Sequence, residues 1–165
     1  MENRAQVIIE LVIENPGIRY SEVMRQTGLK NGVLSHYLTK IEQSGKIMIA
    51  RTPRVARLYP CGMPEEETTI IKSLRSETSR KILLNLLGKD LTFKEIIERV
   101  KKSPGTVSIV LKNLTADEIV ERKFQEGVVL FGVINKDLTG KLAEKQKPKL
   151  VESAVDNISD IFGSL

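Results

Sequence analysis

Between Asn31 and Arg57 the chain gathers side chains suited to gripping a phosphate polymer and to telling its bases apart. The Asn31 amide can pair with adenine, His36 can donate to a base or phosphate, Val33 can meet a thymine methyl, and Lys40 can neutralise a phosphate. Thr39 adds a hydroxyl to the same helical face. Arg51, Arg54 and Arg57 surround Pro53, and guanidinium groups carried near a turn can reach phosphates or a narrow minor groove. Gly32 stands in the opening turn of the same helix. Without a side chain there, the backbone N–H groups of the helix N-terminus can approach a phosphate closely. Glycine costs roughly 1 kcal/mol against alanine in a helix interior, so a second reading stays open, in which Gly32 relieves crowding against the preceding helix.

Other chemistries find little support. His36 is the only histidine and Cys61 the only cysteine, so no internal disulfide and no zinc-ligand spacing are available. Cys61 reads as a small hydrophobe near a domain junction. The sequence holds no Ser/His/acid set, phosphate loop, cofactor fingerprint or paired carboxylates on one face, and the expectation is a non-enzyme without metal or cofactor.

The chain has 165 residues, 41% hydrophobic and 28% charged, a mixture that suits soluble folded domains. No apolar run reaches the roughly 18 residues that a membrane span requires. The opening stretch, ENRAQVIIELVIE, lacks the basic start of a leader peptide, and a cytoplasmic protein is expected. The net charge is +5, with the excess concentrated towards the N-terminus. From Met1 to Gly62 nine Lys and Arg face five acids, whereas from Asp137 to Leu165 four face five.

Those candidate residues must be positioned by repeated elements. Shifting the sequence by 73 positions aligns Tyr20, Glu22, Val23 and Met24 with Phe93, Glu95, Ile96 and Ile97. The same shift brings Gly32, Ser35, Leu38, Ile41 and Ile47 onto Gly105, Ser108, Leu111, Leu114 and Val120 without a gap. Each copy reads as three helices and a hairpin. In the first, helices span about 7–14, 20–27 and 31–44, separated by Asn15-Pro16-Gly17 and by Gly28. Leu34, Leu38 and Ile41 form the buried stripe of the third, and Asn31 is its expected N-cap. KIMIA and ARLYP flank a basic hairpin tip. In the second copy, Ser103-Pro104 opens the third helix, whose outward residues include Thr106 and Lys112, but its hairpin tip at Glu126-Gly127 is not basic. The expected division is 1–62, 63–136 and a tail of 137–165. The stretch PEEETTIIKSL forms a short ordered linker, and the tail is polar up to Lys149. From Leu150 to Leu165 an apolar stripe at helical spacing predicts an amphipathic helix that pairs two copies of the chain or covers the seam between its units.

Two short helices joined by a glycine turn and followed by a hairpin form a helix-turn-helix with a wing. TGLKNGVLSHYLTKIEQSGKI resembles the recognition region of prokaryotic winged-helix regulators of the ArsR and MarR type, KSPGTVSIVLKNLTADEIV resembles their Ser-Pro-x-Thr-Val-Ser segment, and SLRSETSRKILLNLL resembles the first core helix of ArsR-type domains. The cysteine clusters of the metal-sensing members are missing. The resemblance implies a mainly α fold with two tandem winged units and small β-hairpins. It also implies a transcriptional regulator that binds double-stranded DNA, with the third helix in the major groove and the wing over neighbouring phosphates. The first unit is expected to lead through Asn31, Gly32, Val33, His36, Thr39, Lys40, Arg51, Arg54 and Arg57, with Thr106 and Lys112 auxiliary. A homodimer joined through the C-terminal helix would read a palindrome. The competing reading is a protein–protein adaptor, like the tandem winged helices of chromosome-segregation ScpB proteins or ESCRT-type complexes, or a basal transcription component.

Overall fold

The computed structural model describes residues 3–146, so the apolar stripe from Leu150 to Leu165 lies outside the described residues. The chain divides into two compact units that meet between Thr68 and Thr69. That boundary falls inside a helix, α4 (Glu65–Leu74), rather than at the junction of Gly62 and Met63. The fold is mainly helical with small antiparallel sheets.

In the first unit, α1 (Arg4–Glu14) begins at Asn3, whose side chain accepts from the Ala5 N–H, and buries Ile8, Ile9 and Val12. Asn15 closes it by donating both its backbone N–H and its side-chain amide to the Leu11 carbonyl. After Pro16 and Gly17 comes a two-residue strand, β1 (Ile18–Arg19), too short to leave a period in the sequence. Next follow α2 (Tyr20–Thr27) and α3 (Asn31–Gln43), separated by Gly28 in the left-handed conformation. Strands β2 (Ile47–Arg51) and β3 (Ala56–Pro60) pair antiparallel with Ile47 opposite Pro60, and β1 adds to the other edge of β3, giving the order β1-β3-β2. Ile8, Val12, Ile18, Val23, Leu34, Leu38 and Leu58 meet in one core.

The second unit contains α5 (Glu77–Gly88), α6 (Phe93–Val100), α7 (Pro104–Ala116), β4 (Val120–Gln125), β5 (Val128–Val133) and α8 (Lys136–Gln146). Moving α2 and α3 along the sequence by 73 positions lands on the bounds of α6 and α7. The same shift carries the β1–β3 partners Ile18 and Leu58 onto Leu91 and Phe131, which exchange two backbone hydrogen bonds of 3.1 and 2.8 Å. Thr92 caps α6 in a reciprocal box with Glu95, and Ser103 caps α7. The region from Asp137, read from its composition as a polar tail, opens as α8, which buries Thr139, Leu142, Ala143 and Gln146. Its few apolar residues hid a helix whose inner face is partly polar.

The two units end their helices differently. Gly28 and Gly45 supply positive φ after α2 and α3, but the corresponding positions after α6 and α7 hold Lys101 at φ 55° and Glu118 at φ 57°. A side chain in that conformation crowds the following carbonyl, at roughly 1–2 kcal/mol. Lys101→Gly is therefore expected to stabilise the protein by about 0.5–1 kcal/mol, strain relief exceeding the freedom glycine adds to the unfolded chain. Gly28→Ala is expected to destabilise by a similar amount. Urea denaturation of both variants checks this, and a loss of stability in Lys101→Gly would contradict it.

Candidate nucleic-acid interface

The α3 helix shows one face to the core and the other to solvent. Leu34, Leu38 and Ile41 are buried, whereas Asn31, Gly32, Val33, Ser35, His36, Thr39 and Lys40 are exposed. Periodicity therefore brings together the six helical candidates read from the sequence. Val33 retains 38% of its surface, and the His36 ring stands edge-on to Tyr37 with centroids 6.0 Å apart. The Thr39 hydroxyl donates to the Ser35 carbonyl of its own helix at 2.9 Å.

The start of α3 differs from expectation. Lys30 is the N-cap, in extended conformation and without a side-chain cap bond, and Asn31 is the first helical residue. The Tyr20 hydroxyl occupies Asn31 instead, 2.6 Å from Oδ1 and 2.9 Å from the carbonyl oxygen. Pairing with adenine needs both the N–H and the C=O of the amide, so Asn31 would share its Oδ1 between the base and Tyr20. Tyr20 reads from the sequence as a core-edge residue. Its link to Asn31 bridges eleven positions and leaves no local signal. Burial pushes the Tyr20 phenol above its ordinary pKa.

The three hairpin arginines part company. Arg54 lies exposed in the turn between β2 and β3, where Thr52 and Val55 exchange side-chain and backbone hydrogen bonds. Arg51 is the last residue of β2, and its guanidinium grips Glu42 of α3 with two bonds of 3.0 and 2.8 Å. Those bonds hold the Glu42 carboxyl below the usual carboxylate range. Arg57 corrects the expectation of a basic tip. It retains only 4% of its surface, and its guanidinium donates to the Gly17 carbonyl at 2.9 Å, so it belongs to the fold and not to a contact surface. Cys61, expected among the small hydrophobes, is exposed.

Gly32 and Gly105 occupy the same place in α3 and α7. Neither has positive φ, and a Cβ built on either would meet no atom within 4 Å. Crowding against the preceding helix is therefore not the reason for glycine. In the second unit, the Thr106 hydroxyl is taken up in the cap of α7, accepting from Ser103 Oγ at 3.0 Å, while Lys112 is exposed. Lys112 sits beside a groove of about 690 Å³ between α7 and the β4–β5 hairpin, lined mainly by apolar side chains.

Tyr20→Phe is expected to lower stability by about 0.5–1.5 kcal/mol, the usual worth of one hydrogen bond. The measurement is the urea midpoint. An unchanged midpoint would mean that Tyr20 does not fix the opening of α3.

Residues 75–121, from the residues before α5 to the first residues of β4, match the family model described as winged helix-turn-helix DNA-binding. The match falls on the second unit, whereas the sequence places the more basic surface in the first. No curated protein matches the chain. Among solved structures, HlyU from Vibrio cholerae N16961 is similar at 18% identity and a TM-score of 0.45, covering 54% of this chain and 100% of its own. The homodimeric winged helix-turn-helix DNA-binding domain of a possible ArsR-family transcriptional regulator from Mycobacterium bovis is similar at 17% identity and a TM-score of 0.44, covering 53% of this chain and 87% of its own. The matched residues hold α5, the helix pair α6 and α7 with its glycine-free turn, and the first two residues of β4, so the second unit is similar over that stretch to winged helix-turn-helix DNA-binding domains.

Proposed function

We propose that the chain is a sequence-specific transcriptional regulator, ArsR/MarR-like, that holds double-stranded DNA with two winged helix-turn-helix units in tandem. The observation that carries this reading is the open space around Gly32 and Gly105. Each glycine weakens its helix by up to roughly 1 kcal/mol and serves neither backbone conformation nor internal packing. A bare helix start is useful where a large anionic surface must come within hydrogen-bonding distance of the backbone.

In this reading α3 enters the major groove with Asn31, Val33, His36, Thr39 and Lys40 towards the base edges and flanking phosphates. Arg54 reaches the backbone or minor groove from the hairpin turn. Arg51 joins it only by leaving Glu42. Thr106 and Lys112 give auxiliary contacts from α7. One helix and one hairpin suffice to engage one groove, so the reading does not require the homodimer expected from the C-terminal stripe. The adaptor reading draws on the second hairpin, where Phe124 is 77% exposed.

Selection from a pool of random duplexes, followed by anisotropy titration across salt concentrations, tests the proposal. A consensus should emerge, and log K should fall linearly with log[salt] by about 0.9 per phosphate neutralised. Arg54→Ala should reduce that slope by about 0.9. Gly32→Ala should stabilise the fold by up to about 1 kcal/mol while weakening binding about tenfold, two effects of opposite sign. Failure to enrich any sequence, together with a flat salt response, would overturn the proposal in favour of the adaptor.

A further inference from the structure

The opening of α3 carries a contact that does not serve as a helix cap. Tyr20, the first residue of α2, places its hydroxyl 2.6 Å from Asn31 Oδ1 and 2.9 Å from the Asn31 carbonyl oxygen. An N-cap side chain acts by accepting from the free N–H groups of the first turn. The Tyr20 hydroxyl faces two oxygens instead, so it donates to Asn31 and leaves those N–H groups alone. Burial pushes the phenol above its ordinary pKa, so the proton that makes the bond stays in place at neutral pH. Across the 73-residue shift, Tyr20 and Asn31 correspond to Phe93 and Pro104, which have neither hydroxyl nor amide. The second unit has no counterpart of this pair.

Such a contact orients an amide. The terminal torsion of an asparagine side chain is broad and two-fold, so a free Asn31 would exchange its donor and acceptor ends. A separation of 2.6 Å suits an O–H···O bond and falls below the range of about 2.7–3.2 Å of N–H···O bonds, which puts Oδ1 and not Nδ2 towards Tyr20. Because the hydroxyl is within reach of both Oδ1 and the main-chain oxygen, it fills one acceptor site of Oδ1 from the backbone side. The other acceptor site and both hydrogens of Nδ2 stay available, since the Asn31 side chain makes no other hydrogen bond among the described residues. Asn31 is exposed and Gly32 beside it has no side chain, so a base edge can reach the amide. One acceptor beside one donor, in fixed order, complements N6 and N7 of adenine and mismatches guanine, whose O6 and N7 both accept.

We propose that Tyr20 is a positioning residue for base recognition, its hydroxyl holding the Asn31 amide with Oδ1 and Nδ2 in the order that selects adenine over guanine at one position of the duplex. This rests on the reading of α3 as the helix that enters the major groove.

Selection from random duplexes with the full chain, followed by titration of the enriched duplex and of single-base variants, tests it in four proteins: the parent, Tyr20→Phe, Asn31→Ala and the double variant. Asn31→Ala should lower the preference for adenine over guanine about tenfold at one position. Tyr20→Phe should lower it at the same position about threefold or more, with the salt slope unchanged, and should have no effect on that preference once Asn31 is alanine. Circular dichroism checks that each variant keeps its fold. Uniform weakening on every duplex at unchanged preference would overturn the proposal in favour of a purely structural tie. A rise in adenine preference in Tyr20→Phe would overturn it too, showing that the hydroxyl competes with the base, and so would a consensus with no position sensitive to Asn31. These failures leave the regulator reading standing, whereas failure to enrich any sequence would remove both.

Discussion

A helix of thirteen residues on the edge of a small domain has a defined outer face only if its inner face is pinned. In α3 that is done by Leu34, Leu38 and Ile41, and in α7 by Val107, Leu111 and Leu114, all buried at the same spacing. Removing apolar surface of this size from water contributes about 1.5–3 kcal/mol per side chain, more than any polar contact on the outer face supplies. The rotation of each helix about its axis is thus set from inside. The exposure of Asn31, His36 and Lys40 follows from it.

The polar contacts then act as fine adjustment. Tyr20 ties the start of α2 to the first residue of α3, and the Arg51 fork ties the end of α3 to the edge of the hairpin. Arg57 joins β3 to the turn before β1 through the Gly17 carbonyl. In the second unit Asp90 plays a comparable part. It receives Lys123 at 2.9 Å and lies so close to Gly132 that a Cβ there would stand 2.4 Å from its carboxylate. Each hairpin is thereby tied to the rest of its unit at named points, in the second unit through the connection between α5 and α6. Of the three arginines near the first hairpin, one is buried, one is engaged by Glu42, and Arg54 stands exposed in the turn. Formal charge overstates the cationic surface a partner would meet.

The division between what could and could not be read in advance follows the range of each interaction. Helices α2, α3, α6 and α7 were legible because their apolar spacing and their breaks at Gly28, Gly45 and Ser103-Pro104 are local. The 73-residue repeat was legible for the same reason, and it extends to the strand partners of Leu91. Strand β1 was not, since two residues carry no period and their partner Leu58 is forty positions away. Helix α8 was obscured by its lysines and its buried Thr139 and Gln146. At the candidate interface, helical periodicity placed the exposed residues, whereas the fate of Arg51 and Arg57 depended on Glu42 and Gly17, which only the folded chain brings near.

The two copies of the unit differ in which glycines they keep. Where the backbone turns left-handed, the first copy has Gly28 and Gly45 and the second has Lys101 and Glu118. Where the backbone makes no such demand and neighbouring atoms leave room for a methyl, both copies hold glycine, at 32 and 105. The one pair of glycines that coincides across the 73-residue shift is thus the pair that neither φ nor packing demands. At both helix starts the backbone of the first turn therefore lies bare towards solvent.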